Sequence, residues 1–188
     1  MTQAPGTRTA VSRLARLMMA VLSIACLLGS AAPAGAATAP YEDLEKFALS
    51  LVNCTRTGGW VTSGGGCSSP GGRNVAPLKL DRGISTKVSR PYAKRLAVGA
   101  DCSHFIGGNP GDRLRRAGYT SYRWAENIGC RSGNARGAVL GSHRFFQSEK
   151  SYSGGHYVNL MNAKYDRVGI GVWVSGGRVR LVIDFYHP

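Results

Sequence analysis

The stretch Trp124–Cys130, WAENIGC, decides how the rest of this chain is read. Its residues alternate with period two, so in an extended strand Trp124, Glu126 and Ile128 share one face, and Ala125 and Asn127 share the other. An acid between a tryptophan and an isoleucine on an inward face is costly to bury unless something pairs with it. A strand that buries Glu126 must therefore draw a partner from elsewhere in the chain.

Outward from that strand, the pattern alternates between helices and a small sheet. Upstream, YEDLEKFALSLVNCTRT over 41–57 reads as an amphipathic helix, with Leu44, Phe47, Leu51 and Cys54 at helical spacing and acids in its first turn. A Gly/Ser loop follows, and after APLKLD a second helical pattern places Ile84, Val88, Tyr92 and Leu96 four residues apart. Pro91 inside it predicts a kink or a restart, and Gly99 a stop. The loop CSHFIGGNPGD carries His104 and leads into a short basic helix, DRLRRAGY. Downstream, 134–149 is a third long helix capped by Asn134, and HYVNLMN a short helical turn. VGIGVWV and RVRLVIDFY flank Ser175-Gly176-Gly177 as a hairpin. Helices before and around a small antiparallel sheet make a single layered α+β domain.

The first 36 residues stand apart from that fold. Arg8, Arg13 and Arg16 precede the apolar run LMMAVLSIACLLG and a small-residue stretch ending Ala34-Gly35-Ala36, the order of a secretory signal peptide cleaved after Ala36. Cys26 within SIAC raises a lipoprotein alternative, which Ser23 and the downstream AGA site disfavour. Residues 37–188 then form one domain, exported to the extracellular side. Four cysteines remain, Cys54, Cys67, Cys102 and Cys130, and an even count in an exported chain implies two disulfides with three possible connectivities. Cys54–Cys67 and Cys102–Cys130 are preferred, because each pair is sequential and brackets a loop-rich segment; no CxxC spacing supports a zinc cluster instead. Removing the three leader arginines lowers the net charge from +14 to +11. That charge suits anionic cell-envelope polymers or lipid headgroups, although a solvated basic surface explains it as simply, and no nucleic-acid recognition element is present.

A second carboxylate is as awkward as the first. Ala135, Ala138, Val139, Ser142, Phe146 and Glu149 form one stripe on the third long helix, and Glu149 extends that core stripe at the end where the helix dipole disfavours an anion. His104 lies two residues past Cys102, and Glu126 four before Cys130. A bridge between those cysteines, with Cα atoms roughly 5–6 Å apart, puts His104 and Glu126 in one neighbourhood. His156 follows Glu149 across a Gly-rich loop. Two histidines and two glutamates thus converge on one cleft, with His143 and His187 left as boundary or surface residues and His104 predicted to face Glu126.

These pieces resemble the CAP superfamily, the fold of cysteine-rich secretory proteins, antigen 5 and plant pathogenesis-related protein 1, in its compact bacterial secreted form. LVNCTR, APLKLD, SH, RLRRAGY, AENIG, FFQSE, GGHYVNLMN and YDRVGIGV run in family order through nearly all of the chain after the leader. The resemblance implies an α-β-α sandwich with a small antiparallel sheet between helical layers. It also implies a cleft tetrad of His104, Glu126, Glu149 and His156, with Phe146 where the family usually has tryptophan. In family sites of this kind the two histidines bind a divalent metal, commonly Zn²⁺, so His104 and His156 are the metal-ligand candidates.

Two functions follow from the resemblance. One is extracellular binding, of a lipid or sterol, a wall polymer or a partner surface, by a monomer whose Tyr119, Tyr122, Trp124, Tyr152, Tyr157 and Trp173 are candidates to line apolar grooves. Arg113, Arg115 and Arg116 are then candidate contacts for anionic polymer or lipid. The alternative is a metal-assisted hydrolase of protease, esterase or nuclease type, with Glu126 or Glu149 as base beside the histidines. Ser103 and Ser142 lie near the inferred cleft without a nucleophile motif.

Overall fold

The computed structural model describes residues 1–2, 39–69 and 74–188. The signal-peptide expectation for residues 1–36 falls almost wholly outside the described residues. Residues Ala39–Pro188 make one compact unit. Helix α1 (Glu42–Arg56) is followed by a two-stranded antiparallel ribbon, β1 (Trp60–Val61) and β2 (Cys67–Ser68). The Cys54–Cys67 disulfide ties that ribbon back to α1.

The main sheet has the order β3-β5-β6-β4, with β3 (Lys79–Leu80), β4 (Arg123–Ser132), β5 (Arg167–Ser175) and β6 (Arg178–His187). The three long strands pair antiparallel, and the two-residue β3 adds a short parallel edge beside β5. The β5–β6 hairpin turns at Gly176 and Gly177, both at positive φ, where residues with a Cβ are disfavoured.

Side-chain alternation sorts the sheet into two faces. Val179, Leu181, Ile183 and Phe185 of β6 join α1 and α4 (Ala135–Ser148) in the larger core. Val182 and Tyr186, on the opposite face, pack with Tyr92, Leu96, Ile84, Val88 and Leu114. The second face is covered by α2 (82–98) and α3 (Pro110–Arg116). The result is an α-β-α sandwich.

Helix α2 resolves the Pro91 problem in its own way. It opens as an α-turn at Arg82–Ile84, runs through a π-turn at Ser85–Ser89, and resumes as α-helix over Arg90–Val98 with Pro91 in the first turn of that segment. The wider π-turn absorbs the missing proline N–H without breaking the helix. The π-turn lies directly on β5: a Cβ at Gly171 would stand 2.3 Å from the Ser89 carbonyl carbon. The alternating glycines of VGIGV thus serve the close approach of a helix backbone to a strand.

Candidate functional site

Glu126 sits on β4 opposite Asp184 of β6, on the face covered by α2 and α3. Its side chain is 1% exposed, and both oxygens are taken. His104 Nδ1 lies 2.7 Å from Oε1, and Arg113 Nη2 donates to Oε2 at 2.5 Å. A carboxylate only accepts, so the imidazole donates through Nδ1–H and is left with Nε2.

The His104 loop is pinned from several directions. The Cys102–Cys130 disulfide joins it to β4 with a Cα–Cα distance of 6.0 Å. Arg113 Nη1 donates to the carbonyls of His104 at 2.9 Å and Gly108 at 2.8 Å. The Tyr92 hydroxyl donates to the Ser103 carbonyl at 2.5 Å. Arg113 reaches inward because Asn109 and Asp112 form a reciprocal capping box that sets the start of α3. Its guanidinium lies 3.5 Å from the Tyr92 ring centroid.

Asp184 stands beside Glu126 and has no exposure. The Ser89 hydroxyl donates to its Oδ2 at 2.7 Å, and Oδ1 has no hydrogen-bond partner. Burial pushes this carboxyl well above the usual range, and the neighbouring Glu126 charge pushes it further, against the opposing pull of Ser89 and Arg113. A neutral acid here avoids setting two carboxylates side by side.

The second pair is built differently. Glu149 opens a 3₁₀ turn (Glu149–Tyr152) that continues directly from α4, and His156 lies in the first turn of α5 (Gly155–Leu160). His156 Nδ1 lies 2.8 Å from Glu149 Oε1, and the His156 backbone N–H donates to Oε2 at 2.9 Å. Burial alone would raise the Glu149 pKa, but the bonds from His156 and a backbone N–H of Tyr157 outweigh it and hold the carboxyl below its ordinary value. Gly154 closes over the carboxylate, since a Cβ there would stand 2.6 Å from Oε2. The His156 ring stacks on Phe146, 4.6 Å between centroids and 21° between planes.

Both imidazoles line one pocket of about 410 Å³ along the outer edge of β4. Ile128, Ser142, Phe145 and Phe146 line it too, but neither Glu126 nor Glu149 does. The pocket therefore meets two imidazoles, with the carboxylates behind them. Asn127, on the face of β4 opposite Glu126, ties the halves together. Its Nδ2 donates to the His156 carbonyl at 3.0 Å, and its Oδ1 accepts from Asn159 at 2.9 Å.

Several expectations need correction. His143 is not a boundary residue: it is 1% exposed, its Nε2 lies 2.8 Å from Thr55 Oγ1, and burial pushes its pKa down to about 3. It escaped the helical stripe because α1 widens the covered face of α4. Arg113 is no part of a basic surface, since it is consumed by Glu126, whereas Arg115 and Arg116 are exposed. Of the six tyrosines and tryptophans expected to line apolar grooves, Tyr157 lines a separate groove with Val158 and Met161, none lines the histidine pocket, and Tyr122 and Tyr152 stand in solvent. His187, by contrast, is at the surface near Asp166 as expected. Ser142 donates to the Ala138 carbonyl of its own helix. Among the described residues, no group of three or more His, Cys, Asp or Glu side chains is arranged to hold a metal ion.

Comparison with known proteins agrees with the fold. The model of the cysteine-rich secretory protein family, CAP, matches residues 49–185. A search of curated proteins finds no match to the chain. Among solved structures, the chain is similar to an outer surface protein from Borrelia burgdorferi, at 17% identity over 78% of this chain and 94% of that one, with a TM-score of 0.58. It is also similar to an extracellular protein containing a SCP domain from Bacillus anthracis, at 21% identity over 61% of this chain, with a TM-score of 0.48. The chain spans 35% of the length of that protein. At 17% identity the likeness to the Borrelia protein is one of fold.

Proposed function

The chain belongs to the cysteine-rich secretory protein (CAP) family, and on that premise we propose that it is an exported binding protein whose working site is the His104–His156 pocket. Residues 1–36 act as its export signal and 37–188 as its single domain. The observation that carries the reading is the matched pair of imidazoles lining one pocket, each backed by a buried carboxylate at Nδ1.

That backing is the arrangement that prepares a histidine for a metal ion. A carboxylate accepting Nδ1–H fixes the ring and selects the tautomer with Nε2 free. The donor set fits a divalent cation such as Zn²⁺, with His104 and His156 as the two protein ligands. Two ligands make an exchangeable site, and the cation would offer open positions to an oxygen donor of the bound molecule. Phe145, Phe146 and Ile128 give that molecule an apolar contact.

Binding fits this geometry better than hydrolysis. A general base needs a carboxylate oxygen within reach of the attacking water. Here neither Glu126 nor Glu149 lines the pocket, so neither presents a carboxylate oxygen to a water held there.

Calorimetric titration of chelator-stripped protein with Zn²⁺ tests the reading. Saturable heat at one site per chain, lost in His104→Ala and in His156→Ala, is the expected result. Titration without heat, or heat unchanged by both substitutions, would remove the pocket from the account.

A further inference from the structure

A second groove, of about 550 Å³, lies on the α2–α3 side of the sheet and has a cationic rim. Lys87, Arg95 and Arg116 border it, Val88, Tyr92 and Ile106 form much of its floor, and no acid lines it. The fourth cation in its wall, Arg113, is neutralised by Glu126.

Two of the rim cations are brought to one point. Arg116 Nη2 donates to the Gly107 carbonyl at 3.0 Å. Arg95 Nη1 stands 2.7 Å from the place a Cβ on Gly107 would take. Gly107 has φ +73°, and with no side chain it lets the Arg95 guanidinium approach while its carbonyl holds Arg116. Asp112, one turn before Arg116, is committed to the Asn109 backbone N–H and to Arg115. Like charges gathered beside an apolar floor repel one another, and an anion placed between them relieves that repulsion.

We propose that this groove binds a phosphomonoester, with Arg95 and Arg116 clasping the phosphate at Gly107, Lys87 completing the charge, and the organic group lying on the Val88–Tyr92–Ile106 floor. A phosphate dianion offers three terminal oxygens to two guanidinium forks and an ammonium, whereas a carboxylate offers two oxygens and half the charge. The apolar floor favours an organic phosphate over the inorganic ion. This site stands apart from the histidine pocket and does not depend on the function proposed for it.

The test is a ¹⁵N-NMR titration of the purified protein with phenyl phosphate, run beside inorganic phosphate, benzoate and vesicles of phosphatidylcholine with phosphatidic acid. Phenyl phosphate should shift the amides of residues 87–95 and 106–116 saturably. Arg95→Ala and Arg116→Ala, both at exposed positions, should each weaken it about tenfold, the size of one charge-assisted contact. Benzoate and inorganic phosphate should bind more weakly. Vesicle binding lost in both arginine variants would identify a lipid headgroup as the source of the phosphate. Equal affinity for benzoate, shifts elsewhere, no saturation, or vesicle binding that survives both substitutions would overturn the proposal.

Discussion

The two histidine corners present the same group to the same pocket, yet they are supported in opposite ways. His104 is held from a distance: its glutamate lies 22 residues along the chain, its arginine comes from α3, and a disulfide closes the loop. His156 is held locally, by a carboxylate seven residues before it that accepts from both its ring and its own backbone N–H. The contrast teaches that the orientation of an imidazole can rest on tertiary structure or on a single turn. The two corners should accordingly fail differently.

The largest effect is expected from Glu126→Ala. It strands Arg113, whose side chain is 9% exposed, without its counter-ion. Leaving one partner of a buried pair costs about 3–5 kcal/mol, read as a shift in the denaturant midpoint. A loss below about 1 kcal/mol would mean that Arg113 finds another partner and that the long-range corner is softer than described.

Next in size is the double substitution Cys102→Ser and Cys130→Ser, which opens a link between residues 28 apart. A loss of about 2–4 kcal/mol is expected. The sharper readout is site-specific: amide exchange should rise over the His104 loop and stay unchanged over α5. Equal loosening of both corners would erase the distinction between them.

Glu149→Gln should cost less, about 1–3 kcal/mol for a weakened charge-assisted pair of bonds. Its pH dependence has a definite sign. The folded pKa of Glu149 lies below its ordinary 4.5, so the carboxylate contributes fully above 4.5, and that contribution is lost as pH falls through the lowered value. The stability gap between the native protein and Glu149→Gln should therefore close in acid. A gap that widens in acid would reverse the assignment.

The smallest effects belong to the histidines. His104→Gln and His156→Gln remove side chains that are 37% and 26% exposed, and each should change stability by less than about 1 kcal/mol while removing a pocket ligand. A large loss of stability would make that histidine part of the scaffold.

The sequence carried more of the first corner's outline than of its wiring. The acid in WAENIGC, with the cysteines bracketing it and His104, pointed to one neighbourhood, and the hairpin was plain from its alternation and glycines. Arg113 was hidden because a run such as RLRR reads as a solvated face; only the phase of α3 against β4 shows which arginine turns in. Asp184 left a readable signal, an acid inside the apolar run LVIDFY, but its neighbour Glu126 becomes visible only when β4 is registered against β6. Arg56 is the last residue of α1. It is buried, and it donates to the carbonyls of Ala76, Leu160, Asn162 and Tyr165. Nothing local announces a side chain whose partners are loop carbonyls scattered along the chain.

The central claim is that buried carboxylates hold both imidazoles with Nδ1 as the donor and Nε2 free. Long-range ¹H–¹⁵N NMR of the histidine rings, read on the neutral form of each imidazole, measures this directly, without metal or ligand. The account predicts a protonated Nδ1 and an unprotonated Nε2 for His104 and for His156, with the His104 pattern alone lost in Glu126→Gln. A proton on Nε2 with a bare Nδ1 in either ring would contradict it.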